Sequence, residues 1–178
     1  MLMVYLAYSK PNKCGRAEMS SEGISLLRRL LEAVGESSDI ELAREASGRP
    51  YIIGRKDLDF NVSHSDTLAV CALSVSDGKV GVDAEPMKPT IPPERQQRFA
   101  NKYFSENEKK LFEASPGAFS RIWTAKESYL KRIGKGIATD LSAVDTLSLP
   151  DDIALVTVER EGHYVTLCVG KNVQFKII

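Results

Sequence analysis

Apolar residues fall into short alternating runs and a few helical stripes along the chain. Val4, Leu6 and Tyr8 alternate with smaller residues and predict a first strand over Met1 to Tyr8. A polar loop, Ser9 to Met19, precedes a helix that Ser20 or Ser21 can cap, with Ile24, Leu27, Leu31 and Val34 on its apolar face and Gly35 at its end. Gly48-Arg49-Pro50 reads as a loop before a short strand, Tyr51 to Ile53. Another loop, Gly54 to Asp59, is followed by Phe60-Asn61-Val62-Ser63-His64-Ser65, which leads into Leu68 to Val75. That run is apolar on both faces and belongs in the middle of a sheet. The turn Ser76-Asp77-Gly78-Lys79 predicts a hairpin that returns the chain antiparallel along Val80 to Glu85, near Ser63 and His64.

Pro86, Pro89, Pro92 and Pro93 then impose a loop, and Arg95 to Lys102 predicts a short helix. Ser105-Glu106-Asn107-Glu108 has the form of a capping box and starts another helix, which Ser115-Pro116-Gly117 breaks. Ala118 to Ile133 is the clearest helix, ended by Gly134. Ala143 to Ile178 reads as strands separated at Pro150-Asp151, Glu161-Gly162 and Gly170-Lys171-Asn172. The order β-α-β-β, met twice, predicts an α+β protein of two related lobes, each an antiparallel sheet packed on helix. The expected division is 1–78 and 79–178, forming one compact unit with the active site between lobes.

The 178 residues suffice for such a unit, and 43% hydrophobic with 27% charged content is ordinary for a globular protein. Lys and Arg total 24, as do Asp and Glu, so no overall field favours nucleic acid or an anionic membrane. Cys14, Cys71 and Cys168 are far apart and outside any CxxC spacing, as expected for reduced thiols in the cytoplasm. The apolar start lacks the basic flank and cleavage site of a signal peptide, and no run reaches the ~20 residues of a membrane span.

The chemistry centres on Gly81-Val82-Asp83-Ala84-Glu85. On a strand, Asp83 and Glu85 share one side while Val82 and Ala84 face the other. Two carboxylates about 6 Å apart repel by roughly 3 kcal/mol at an effective dielectric near 20. A bound divalent cation relieves that repulsion; so does an exposed, water-screened strand end. On the helix Arg121 to Lys131, Trp123, Glu127 and Lys131 form one stripe at i, i+4, i+8. Taken alone, it fits a Glu127–Lys131 surface pair over a core tryptophan.

Together, G-V-D-x-E and W-x-x-K-E-x-x-x-K, with 42 residues from Glu85 to Glu127, form the motif pair of the 4′-phosphopantetheinyl transferases. Gly48-Arg49-Pro50 resembles their G-K/R-P loop and Phe60 to Ser65 their F-N-x-S-H-S segment. Phe104-Ser105-Glu106-Asn107-Glu108 resembles F-S-x-x-E, and Gly134-Lys135-Gly136 resembles G-K-G. These blocks keep the family's order across residues 48 to 136. The resemblance is to the two-lobed monomeric, Sfp-type members, and not to the short trimeric carrier-protein synthases.

The resemblance implies holo-[acyl-carrier-protein] synthase activity: the phosphopantetheine arm of coenzyme A moves to a serine of an apo acyl or peptidyl carrier protein, releasing adenosine 3′,5′-bisphosphate. It implies Mg²⁺, with Mn²⁺ as the alternative ion, held by Asp83, Glu85 and Glu127. Lys131 would meet the pyrophosphate, and Lys126 a phosphate or only solvent. Ser63 and His64 would touch phosphates, and Arg49 would grip the 3′-phosphate. The serine proton would go to Glu108, to Glu127 or to a water on the metal, although a capping glutamate at 108 needs no catalytic role. Trp123 is expected to pack the helix on the sheet. Carrier docking is expected along Pro86 to Tyr103, with Met87, Arg95, Arg98 and Lys102 facing an acidic helix.

One departure is that Ile24 stands where longer relatives carry a cofactor-binding arginine; Lys10, Lys13, Arg16 or Arg28 are the substitutes on offer. Ala84 is smaller than the branched residue common at the motif's middle position. Two competing readings remain: a catalytically weak coenzyme A or carrier-binding protein of the same fold, and an unrelated carboxylate-metal enzyme such as a phosphodiesterase.

Overall fold

Short alternating strands and four helices build the described chain into sheets with helices packed on them. A computed structural model describes residues 3–11, 15–75, 78–134 and 140–178. Lys13, Cys14, the Ser76-Asp77 part of the expected turn, and the Lys135-Gly136 part of the G-K-G segment lie outside the described residues, as does the beginning of the first strand. The first half runs β1 (Met3–Ser9), α1 (Arg16–Ala33), β2 (Leu42–Arg44), β3 (Pro50–Ile52), β4 (Asp59–His64) and β5 (Ala69–Ser74). The second runs β6 (Gly81–Pro86), α2 (Pro93–Tyr103), α3 (Glu106–Ala114), α4 (Phe119–Ile133), β7 (Ile153–Arg160), β8 (His163–Gly170) and β9 (Gln174–Ile177).

Two larger sheets form, in the orders β4-β5-β1-β9 and β6-β8-β7, and β2 pairs with β3 alone. Setting β9 aside, both repeat one strand order. A later hairpin, β4-β5 or β7-β8, lays its second arm antiparallel against the leading strand, β1 or β6. β9 returns to the first sheet and runs parallel to β1. As its apolar faces require, β5 is central and buried throughout.

The hairpin expected between Leu68–Val75 and Val80–Glu85 does not form. β1 and β4 already occupy both edges of β5, so β6 has no edge there to join and pairs with β8 instead. α1 also starts earlier than a Ser20 or Ser21 cap would allow. The Glu18 carboxylate accepts the Gly15 N–H at 2.7 Å and secures an additional first turn. Residues 143–149, read as the start of a strand, instead follow the end of a one-turn helix (Leu141–Ala143) with a turn, because Asp140 and Asp145 carboxylates accept the N–H groups of Ser142 and Leu147.

Alternation sorts the side chains into cores. Phe60, Ala69, Cys71 and Leu73 face α1, whose buried stripe is Met19, Leu26, Leu27, Leu30 and Leu31, with Ile24 and Val34 half-buried at its margin. Val4, Leu6, Val70 and Ala72 point the other way and meet Val82, Ala84, Val165 and Leu167 of the second sheet. A third cluster, Ala100, Phe104, Phe112, Phe119 and Ile122, joins α2, α3 and α4. Each large side chain so buried contributes about 1.5–3 kcal/mol. Gly134 ends α4 with φ of 70°, its N–H donating to the Leu130 carbonyl.

Candidate active site

Because Val82 and Ala84 point into the core between the sheets, Gly81, Asp83 and Glu85 face the opposite side of β6. α4 lies directly on that side. A Cβ on Gly81 would stand 2.0 Å from the Ser128 carbonyl oxygen and 2.6 Å from the Arg132 nitrogen, so only glycine permits this approach. The contact brings the turn carrying Glu127 and Lys131 beside the acidic strand.

The other flank of β6 meets β4. Asp59, Asn61 and Ser63 alternate along β4 and share one face. Asp59 Oδ2 accepts the Val80 N–H at 2.7 Å, Asn61 Oδ1 accepts the Val82 N–H at 2.9 Å, and Ser63 Oγ donates to Asp83 Oδ1 at 2.8 Å. Side chains of the first sheet thus act as the strand partner that this edge of the second sheet lacks.

Ser63, Asp83 and Lys131 converge there. Lys131 Nζ donates to Asp83 Oδ1 at 2.7 Å and to Ser63 Oγ at 2.8 Å. Asp83 is 4% exposed, and its second oxygen, Oδ2, is buried with no hydrogen-bond partner among the described residues. Burial, followed by repulsion from Asp83, raises the proton affinity of Glu127; Lys131 opposes it. Glu85 is pushed up to about 7 by burial first, then by Asp83, with Glu127 and Asp66 adding and Lys131 opposing. Three carboxylates therefore face one ammonium, leaving two negative charges uncompensated when all are ionised.

The residues fit a hard divalent cation: all donors are carboxylate oxygens, and one is buried and orphaned. Among the described residues, no three Asp, Glu, His or Cys side chains already stand together as a metal-holding group. Lys131, on Asp83 Oδ1, is the positive charge at this position. His64 lines the same cleft as Ser63, Asp83 and Lys131, a space of about 660 Å³ between α1, β2, β3, β4 and the acidic strand.

Four expectations receive different partners. Arg49 is buried, and its guanidinium donates to Asp59 Oδ2 at 2.6 Å, to the Val80 and Phe60 carbonyls, and to the Lys131 carbonyl. Lys126 meets neither phosphate nor solvent. It is fully buried, 2.7 Å from Glu108 Oε2, and donates to the Leu141 and Val144 carbonyls. Glu108 is buried just as completely, receiving the Ser105 N–H on Oε2 and the Thr146 N–H and hydroxyl on Oε1. No oxygen of Glu108 remains for a substrate proton. Trp123 packs edge-on against Phe99 and beside Tyr103, and so joins α4 to α2 and not to the sheet.

The sequence gives Asp59 and Asn61 no separate role, although their spacing from Ser63 at i, i+2, i+4 is the signal that places them on one face. His163 was also missed. It is buried at the far end of β8, its Nε2 2.9 Å from Ser65 Oγ and its Nδ1 2.8 Å from the Glu161 carbonyl.

Residues 79–174 match the model of the 4′-phosphopantetheinyl transferase superfamily. A 4′-phosphopantetheinyl transferase of Bacillus subtilis is 31% identical over 91% of this chain and 70% of its own length. The 4′-phosphopantetheinyl transferase Sfp of Bacillus subtilis strain 168 is 28% identical over 90% of this chain and 70% of its own. A third, 4′-phosphopantetheinyl transferase ffp of Bacillus subtilis, is 30% identical over 96% and 78%. The chain belongs to the 4′-phosphopantetheinyl transferase superfamily and is an α+β enzyme of its Sfp type.

Proposed function

We propose that this enzyme transfers the phosphopantetheine arm of coenzyme A to a serine of an apo acyl or peptidyl carrier protein in a Mg²⁺-dependent reaction. The serine oxygen bonds to the pantetheine-side phosphorus, and the bond from that phosphorus to the bridging oxygen breaks, releasing adenosine 3′,5′-bisphosphate. The observation that carries this reading is the orphaned Asp83 Oδ2, which lies at the cleft with Lys131 and within the electrostatic reach of Glu85 and Glu127. Asp83, Glu85 and Glu127 would hold Mg²⁺, which neutralises these carboxylates and polarises the pyrophosphate.

The remaining steps fall to the protein's own groups. Lys131 reaches the cleft with its ammonium fixed by Ser63 and Asp83, and it balances charge on the departing oxygen. With both oxygens of Glu108 engaged, the serine proton is left to Glu127 or to a water. Ser63 orients Asp83, and His64 meets phosphate on the same wall. The lobes are read as 1–78 and 79–178, with β9 crossing back to the first sheet.

On α2, Arg95, Arg98 and Lys102 are exposed at i, i+3, i+7 and offer one basic face to an acidic carrier helix. The enzyme is read as a cytoplasmic monomer; Cys71 and Cys168 are free and buried, and no described helix is long and apolar enough to cross a membrane. The test is mass spectrometry of apo carriers after incubation with coenzyme A and Mg²⁺. Each modified carrier gains the mass of the arm. Tight coenzyme A binding without transfer, across fatty acid, polyketide and nonribosomal peptide carriers, would instead mark a binding protein.

A further inference from the structure

Coenzyme A carries negative charge in two places, the pyrophosphate and the ribose 3′-phosphate. The cleft needs a cation for each, and its charged lining is sparse. Arg49, the residue the sequence offers for the 3′-phosphate, is buried and bonded to Asp59 and to three carbonyl oxygens. Lys131 is fixed at the acidic end by Asp83 and Ser63. Lys10 is ion-paired with Glu161, and Arg28 does not line the cleft. Among the described side chains, which leave out those of Lys13 and Arg16, the remaining cleft-lining one of fixed positive charge is Arg44.

Arg44 is held at that wall by local structure. It ends β2, opposite Pro50 of β3, and its Nη1 donates to the Gly48 carbonyl at 2.7 Å. Gly48 adopts φ of 85°, and its own N–H returns to the Glu45 carbonyl, so the loop that orients the guanidinium is itself fixed. One nitrogen is thus anchored, while Nε and Nη2 make no hydrogen bond to the described residues. Exposed Ser20 and Ser21 of α1 line the same cleft and bring hydroxyl donors. A planar guanidinium with two unengaged donors suits a phosphate monoester, which it can bind through two parallel hydrogen bonds.

We propose that Arg44 grips the ribose 3′-phosphate of coenzyme A and makes the enzyme select coenzyme A over its 3′-dephospho form. This assignment rests on reading the cleft as the coenzyme A site. It also explains how the cleft works with Ile24 at the arginine position of longer relatives and with Arg49 committed to the interior.

The test compares KM for coenzyme A and for 3′-dephospho-coenzyme A in the wild type, Arg44→Ala, Arg44→Lys and Arg28→Ala. The wild type should favour coenzyme A. In Arg44→Ala, KM for coenzyme A should rise about ten- to a hundredfold, as expected for losing charge-assisted hydrogen bonds, so that the two donors converge. The loss should appear in KM and not in kcat, Arg44→Lys should fall between, and Arg28→Ala should keep the wild-type preference. Calorimetry with adenosine 3′,5′-bisphosphate against adenosine 5′-monophosphate should show the same convergence without turnover. A wild-type preference that survives Arg44→Ala, or an equal loss for both donors, overturns the assignment. Failure of the wild type to transfer from either donor instead overturns the coenzyme A reading of the cleft.

Discussion

Gly81 and Ser128 meet backbone to backbone: a Cβ on the glycine would lie 2.0 Å from the Ser128 carbonyl oxygen. That approach seats α4 on β6 and places Glu127 and Lys131 next to Asp83. Gly81→Ala should therefore push the helix away from the acidic strand. Overpacking of this kind costs about 1–3 kcal/mol, and here the obstacle is rigid backbone. Urea melts should show that loss, and transfer by the folded fraction should fall more steeply than its population. Full activity in Gly81→Ala would show that the contact does not set the site.

Glu108 and Lys126 should prove structural. Removing one partner leaves the other charge buried and unpaired, so Glu108→Leu or Lys126→Met should destabilise by about 3–5 kcal/mol. The double variant should recover much of the loss, and its folded fraction should transfer the arm at near the wild-type rate. Denaturation curves with single-turnover assays separate the two effects. An inactive but stable double variant would restore Glu108 to catalysis.

Arg49→Ala should likewise act through stability. It removes a buried guanidinium that joins Asp59, β6 and the end of α4, a loss of about 3–5 kcal/mol when a buried pair is broken. KM for coenzyme A in the surviving folded protein should change alike for the donors with and without the 3′-phosphate. A loss confined to coenzyme A would point to direct phosphate contact.

The acidic site should couple Mg²⁺ to pH. Glu85 titrates near 7 and Glu127 is also raised, so in the metal-free protein both favour the folded state when protonated. That contribution is complete below the ordinary carboxylate range near 4.5 and is lost as pH rises through about 7. Mg²⁺ needs the ionised groups. The rise in melting temperature caused by Mg²⁺ should therefore be small at pH 5 and grow toward pH 8. A shift independent of pH would remove Glu85 from the ion's ligands.

Much of this was legible in the sequence, for local reasons. Alternation along Val82-Asp83-Ala84-Glu85 placed two residues in the core and two on the site face, and period 3.6 put Glu127 and Lys131 on one stripe. The α4 boundaries followed from Gly134. Long-range competition was not legible. The Asp77-Gly78 signal favoured a hairpin, but the preceding strand β4 and the distant strand β1 hold both edges of β5. Arg49 and Lys126 looked like free cations because nothing nearby in sequence revealed Asp59 or Glu108 as their partners. The three-residue strand β2 is too short for any period to show, and Arg44 was overlooked with it.

The return of β9 to β1 also bears on how the molecule is made. Synthesis produces Gln174–Ile177 about 170 residues after their parallel neighbours Met3–Leu6. Until β9 is made, β1 therefore keeps one unpaired row of N–H and C=O groups, open to adventitious strand addition. That edge closes only when β9 pairs with β1, so the first sheet is completed by a strand far along the chain.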